Sequence, residues 1–180
     1  SKIGRFTESF PRQWLHFQMQ SENGDIPGTK LEEWHRTSPA DISDAQVAEL
    51  SAKGMKEEDV FFAVAIDDLS RACDLFAGVH ARTGGVDGWC SLEVSPLLAY
   101  DATSTVEQAV ALHARAAKPN LFIKVPGTAA GLPAIEELTF RGIPINVTLL
   151  FDTAHYLAAA DAYLRGLERR VAAGKSPVVA

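Results

Sequence analysis

The chain has 180 residues, of which 47% are hydrophobic, 22% charged and 8% aromatic, and its formal net charge is −6. That balance excludes wholesale disorder, and the acidic charge speaks against a nucleic-acid surface, which normally carries a basic field. No apolar run is long enough to span a bilayer, SKIGRFTESFPRQ lacks the apolar core of a signal peptide, and Cys73 and Cys90 form no metal-binding or disulfide-dense pattern, so a cytoplasmic protein with neither nucleic-acid nor membrane partners is expected.

Residues 1–43 show no sustained period. Gly24, Pro27, Gly28 and Pro39 interrupt them, which predicts a loop-rich segment ahead of a domain over residues 44–180. Ser43 or Asp44 is placed to cap a helix through AQVAELSAKG that stops at Gly54. A second helix is predicted from about Lys56 to Val79, because Val60, Val64, Leu69, Ala72, Phe76 and Val79 recur at helical spacing. An alternation follows: strand 88–94, helix 105–117, strand 121–125, helix 131–141, strand 143–151 and helix 152–173. Strand–helix–strand order implies parallel strands with right-handed crossovers, hence an α/β fold.

Buried parallel strands are usually apolar on both faces; these three are not. By period-two alternation, Ser91, Glu93 and Ser95 share a face, as do Phe122 and Lys124, and Asn146 and Thr148, while Leu92, Val94, Ile123, Val125, Ile145 and Val147 point the other way. A doubly wound sheet would bury both faces under helices. A (β/α)8 barrel turns one face of every strand into its lumen and works at the strand C-terminal ends. Such barrels need about 250 residues, so a partial TIM barrel is expected.

Lys124 is the sharpest signal. A lysine within an apolar strand must be paired or lose its proton. A neutral amine attacks a carbonyl and forms a Schiff base, whose iminium is an electron sink for breaking an adjacent carbon–carbon bond. A structural ion pair with Glu93 is the alternative, and both stay open on the residues alone. Glu93 could equally hold a water for proton transfer, and Asn146 and Thr148 could bind substrate hydroxyls or satisfy neighbouring polar groups. Asp101 reads as a turn residue. His80, His113 and His155 read as solvated, and Arg165, Arg169 and Arg170 as a charged surface face. The GTAAG stretch after Lys124 lacks the Gly-Lys-Ser/Thr ending of a phosphate loop.

The segments VDGWCSLEVSPLLAYD, PNLFIKVPGTAAGLPAIEEL and GIPINVTLLFDTAHYLAAADAYLRGLE resemble, in order and spacing, the transaldolase family of class I aldolases, in the bacterial type sometimes fused to a sugar-phosphate isomerase. The upstream DAQVAELSAKGMKEEDVFFAVAIDDLSRACDLF resembles it too, so the likeness runs from about Asp44 to Gly174. It implies a (β/α)8 barrel and a transferase that uses neither metal nor cofactor. Lys124 then matches the Schiff-base lysine, Glu93 the glutamate that works through a catalytic water, Thr148 the threonine sharing that water, and Asn146 an asparagine binding the dihydroxyacetone unit. The implied reaction moves that unit from sedoheptulose 7-phosphate to glyceraldehyde 3-phosphate, giving erythrose 4-phosphate and fructose 6-phosphate in the pentose phosphate pathway.

Departures accompany the likeness. The family's acid/base aspartate aligns with His16 of QWLHF, and Thr37-Ser38-Pro39 lacks the asparagine of a T-S-N-P motif. The family's later serine and phosphate-binding arginines have no counterpart in these 180 residues. Other readings are therefore a class I aldolase that cleaves without transfer, a non-catalytic barrel fragment, and a piece of a transaldolase–isomerase fusion. Open strand edges make a homo-oligomer a further expectation.

Overall fold

The computed structural model describes residues 40–179, with side chains from Gln46 onward. His16, Thr37-Ser38-Pro39 and all but the last residues of the loop-rich 1–43 segment lie outside the described residues. The chain divides into two compact units, Ser1–Val64 and Ala65–Ala180.

In the first unit, helix α1 spans Ala40–Ala52. It starts before Ser43 and Asp44, which therefore occupy its first turns instead of capping it. Gly54, at φ +75°, ends α1 in the left-handed conformation that favours glycine. Helix α2 spans Glu57–Arg82 and opens with Glu57, Glu58 and Asp59 at its positive end. Val60, Phe62 and Val64 are buried.

In the second unit, α2 continues with Leu69, Ala72 and Cys73 buried. Strand β1 (Cys90–Glu93), helix α3 (Ala102–Ala116), strand β2 (Leu121–Pro126), helix α4 (Leu132–Arg141), strand β3 (Ile145–Thr148) and helix α5 (Thr153–Ala172) follow in alternation. The strands pair in parallel in the order β1–β2–β3, as the alternation predicts. Two strands are shorter than predicted, for backbone reasons. Gly88 has φ +79°, and a Cβ there would lie 2.5 Å from the backbone nitrogen of His80, so the chain enters β1 pressed against α2. After Thr148, Leu149 takes φ +65°, which ends β3.

The core lies on one face of the sheet. Leu92, Val94, Leu121, Ile123 and Val125 are buried there, as are Val106, Ala109 and Leu112 of α3 and Ala134, Ile135 and Leu138 of α4. Burying each large aliphatic side chain contributes roughly 1.5–3 kcal/mol. Asp101 is the N-cap of α3, accepting from the Ser104 backbone N–H at 3.0 Å and the Ser104 hydroxyl at 2.6 Å, which corrects the turn reading and moves the helix start three residues upstream. Asp152 caps α5 in the same way, accepting from His155 N–H at 2.8 Å.

The surface reading of the α5 arginines holds for the half-exposed Arg165 and Arg169 and is corrected for Arg170. A Cβ on Gly166 would lie 2.6 Å from Thr139 Cβ, so α5 comes close to α4 at this point. Arg165 pairs with Glu136 at 2.8 Å, and Arg169 bridges Glu136 at 3.1 Å and Glu137 at 2.8 Å. Arg170 is buried and donates to Phe140 O at 3.0 Å and Ser176 O at 2.7 Å. Of His80, His113 and His155, only His155 is exposed, and its ring lies 3.6 Å from Asp152. His113 is partly buried, which holds its imidazole below its ordinary pKa, and His80 meets the Trp89 ring edge-on at 4.6 Å. Among the described residues no helix is long and apolar enough to cross a membrane.

Asn120, fully buried, ties α2 to the entry of β1 by donating to Cys73 O and Gly88 O, both at 2.9 Å. Asn120→Ala leaves two buried carbonyls without this donor and is expected to lower stability by about 2–3 kcal/mol, read from urea denaturation midpoints. The α4–α5 ion pairs set an acid limit. Hydrogen bonds from Arg165 and from Arg141 hold the Glu136 and Glu137 carboxyls, respectively, below the ordinary value of 4.5, with Arg169 adding to both. A carboxyl whose pKa falls on folding stabilises the fold above its unfolded value and loses that contribution as pH drops through its folded value. Glu136→Gln/Glu137→Gln is therefore expected to melt lower than wild type at pH 7, by about 0.2–1 kcal/mol per partly exposed pair. The gap should close in circular-dichroism melts as pH falls below 4.5.

Candidate active site

Glu93 ends β1, Lys124 lies within β2 and Asn146 is the second residue of β3. The parallel register sets Glu93 opposite Lys124, and Lys124 opposite Asn146. Side chains directly opposite on neighbouring strands leave the same face, so carboxylate, amine and amide form one row on the face away from the core. Lys124 Nζ lies 3.4 Å from Glu93 Oε2, and the two side chains are 24% and 38% exposed. A tight charge-assisted bond would measure about 2.7–2.9 Å, so this pair is loosely engaged and still open to solvent.

Asn146 Nδ2 donates to Ser91 Oγ at 3.3 Å. Ser91 belongs to β1, with β2 in between. Two strand spacings amount to roughly 9.6 Å in a flat sheet, so side chains of this size meet across β2 because the sheet curls towards the polar face. That face is the concave one, as a barrel lumen requires. On the N-terminal side of the row, Phe122 stacks on Trp89 with centroids 4.1 Å apart, and Trp89 Nε1 donates to Gly85 O at 2.8 Å.

On the C-terminal side, Thr148 stands two residues beyond Asn146 and opposite Pro126, so it shares the face of the row. Its carbonyl accepts the Gly127 N–H at 2.7 Å. Thr128 Oγ1 donates to Ala99 O at 2.6 Å and accepts from Gly131 N–H at 3.0 Å, joining the loop after β2 to the loop after β1. The Gly127 and Gly131 N–H groups of the GTAAG stretch are thus engaged within the fold. Among the described residues no group of three or more His, Cys, Asp or Glu side chains could hold a metal ion.

Of the four site residues nominated from sequence, the fold brings Glu93, Lys124 and Asn146 into one row and sets Thr148 one step towards the strand ends. Ser91 and the Trp89–Phe122 stack escaped the sequence reading as parts of the site. Their signal is the period-two run Trp89, Ser91, Glu93, which places all three on one face. Thr128 carries no such signal, because its partner is a backbone carbonyl in another loop.

An arc of parallel βα units with an amine, a carboxylate and an amide aligned on its concave face defines a partial TIM barrel of the α/β class. Residues 35–179 match the family described as Transaldolase/Fructose-6-phosphate aldolase, and the chain belongs to that family. It is 44% identical over 133 residues to a transaldolase of Mycobacterium tuberculosis (strain CDC 1551 / Oshkosh), and the match covers 74% of this chain and 36% of that protein. It is 46% identical over 131 residues to a transaldolase of Mycolicibacterium smegmatis, covering 73% of this chain and 35% of the relative. The chain thus spans roughly a third of the length of the curated relatives it matches.

The looseness and exposure of the Lys124–Glu93 pair make it a weak structural element, since pairs of this kind are worth about 0–1 kcal/mol. Glu93→Gln is expected to shift the urea unfolding free energy by less than about 1 kcal/mol. A loss of several kcal/mol would mark the pair as structural.

Proposed function

We propose that this chain carries the Schiff-base centre of a transaldolase, with Lys124 as nucleophile, Glu93 and Thr148 sharing a water that moves protons, and Asn146 holding the dihydroxyacetone unit. The observation that carries this reading is the shared register of Glu93, Lys124 and Asn146 on the concave face, together with membership of the family. The Lys124 amine adds to the C2 carbonyl of a ketose phosphate to give a carbinolamine. Proton transfers through the Glu93-held water let hydroxide leave as water and the iminium form. The iminium takes up the electron pair of the breaking C3–C4 bond, the C4 hydroxyl gives up its proton, and an aldose phosphate departs. The enamine left on Lys124 then adds to a second aldose phosphate, and hydrolysis frees the amine.

In this reading the donor is sedoheptulose 7-phosphate, the acceptor glyceraldehyde 3-phosphate, and the setting the pentose phosphate pathway of the cytoplasm. The base for the C4 hydroxyl, which alone supplies about 10²–10⁴-fold, has no assigned residue among those described. The family description also names fructose-6-phosphate aldolase, so cleavage without transfer is the second reading. Dependence on an aldose phosphate acceptor separates the two.

The test is borohydride trapping with fructose 6-phosphate, read by intact and peptide mass on wild type and Lys124→Ala, both shown to be folded by circular dichroism. A reduced sugar adduct on Lys124 in wild type, and none in the variant, is the expected result. A six-carbon adduct would accompany a stalled cleavage step, and a three-carbon adduct a completed one. A folded wild-type chain that traps no sugar would overturn the reading and leave a non-catalytic barrel fragment.

A further inference from the structure

Cys73 and Cys90 take no part in the chemistry proposed for Lys124. Cys73 lies on α2 and is fully buried, while Cys90 opens β1 and is partly exposed. Both converge on Asn120. Its backbone oxygen accepts the Cys90 N–H at 2.9 Å and lies 3.8 Å from Cys73 Sγ. Its side chain meanwhile clamps Cys73 O and Gly88 O. The backbone beside each sulfur is thereby fixed by one buried residue. The neighbouring thiols also shift one another, the Cys73 thiol up and the Cys90 thiol down against the opposing effect of burial. Cys90, the partly exposed residue of the two, thus holds the readier thiolate, and it is the thiolate that reacts.

We infer that Cys73 and Cys90 form an intramolecular disulfide when the folded chain meets hydrogen peroxide, making the α2–β1 junction an oxidisable staple. The Cys90 thiolate attacks one peroxide oxygen, the O–O bond breaks, and hydroxide leaves a sulfenic acid on Cys90. The Cys73 sulfur then displaces that oxygen. The S–S bond forms, and the oxygen departs as water with the thiol proton. Two thiols lose one electron pair in total and peroxide is reduced to water. The sequence holds only these two cysteines, so each has just one possible partner within the chain.

The experiment treats the reduced, folded full chain with hydrogen peroxide, then denatures it and adds N-ethylmaleimide. The expected product is a monomer lighter by two hydrogen atoms that takes up no maleimide. It should yield a linked Cys73–Cys90 peptide and regain both thiols with dithiothreitol. Cys90→Ser should leave Cys73 free to take maleimide after the same exposure. Maleimide on Cys73 of peroxide-treated wild type would overturn the inference. That holds whether Cys90 stays a thiol, advances to a sulfinic acid or links to a second chain.

Discussion

Register between the three strands is the constraint on which the rest of this structure depends. Parallel pairing places Glu93, Lys124 and Asn146 at one level, and the two-residue period sends their neighbours Leu92, Ile123, Val125 and Val147 to the opposite face. A slip of one residue in β2 would exchange the two sets, burying an amine under α3 and α4 and exposing Ile123 and Val125 on the concave side. The hydrophobic cost of that slip is what holds the polar row in line. Packing on one face therefore sets the geometry of the polar row on the other.

Two buried polar side chains show how the helices are fastened around that sheet. Asn120 and Arg170 both spend their donors on backbone carbonyls, at the α2–β1 junction and at the C-terminal end of α4 respectively. Carbonyls at a helix end have no partner within the helix. A guanidinium there also meets the negative end of the dipole, so Arg170 is buried with no carboxylate partner among the described residues. The exposed Glu136–Arg165–Arg169–Glu137 pairs lie between the same two helices, but solvent screens them, and they add less than the buried contacts.

The βα alternation and the polar face are legible in the amino-acid order because both are periodic. Lys124 stands out by chemistry within an apolar run, and Glu93 and Asn146 stand out by the same period-two phase. What is not legible has a common cause. The capping role of Asp101, the burial of Arg170, the clamp made by Asn120 and the strap made by Thr128 all depend on backbone groups, and a backbone carbonyl leaves no mark on the identity of its residue. The link from Asn146 to Ser91 depends on curvature, which no local pattern states. The strand ends are set by Gly88 and Leu149, whose positive φ is a property of the packed loops. The glycine advertises such a turn, and the leucine does not.

The Trp89–Phe122 stack gives the concave face a sidedness. Two rings in contact, with the indole nitrogen tied to Gly85 O, lie towards the strand N-termini from Lys124. They present a rigid apolar plate with few hydrogen-bonding groups. Towards the strand C-termini, the row opens instead onto Thr148 and the loops after β1 and β2. Polar partners therefore lie in one direction only from the amine, towards the loop end of the strands.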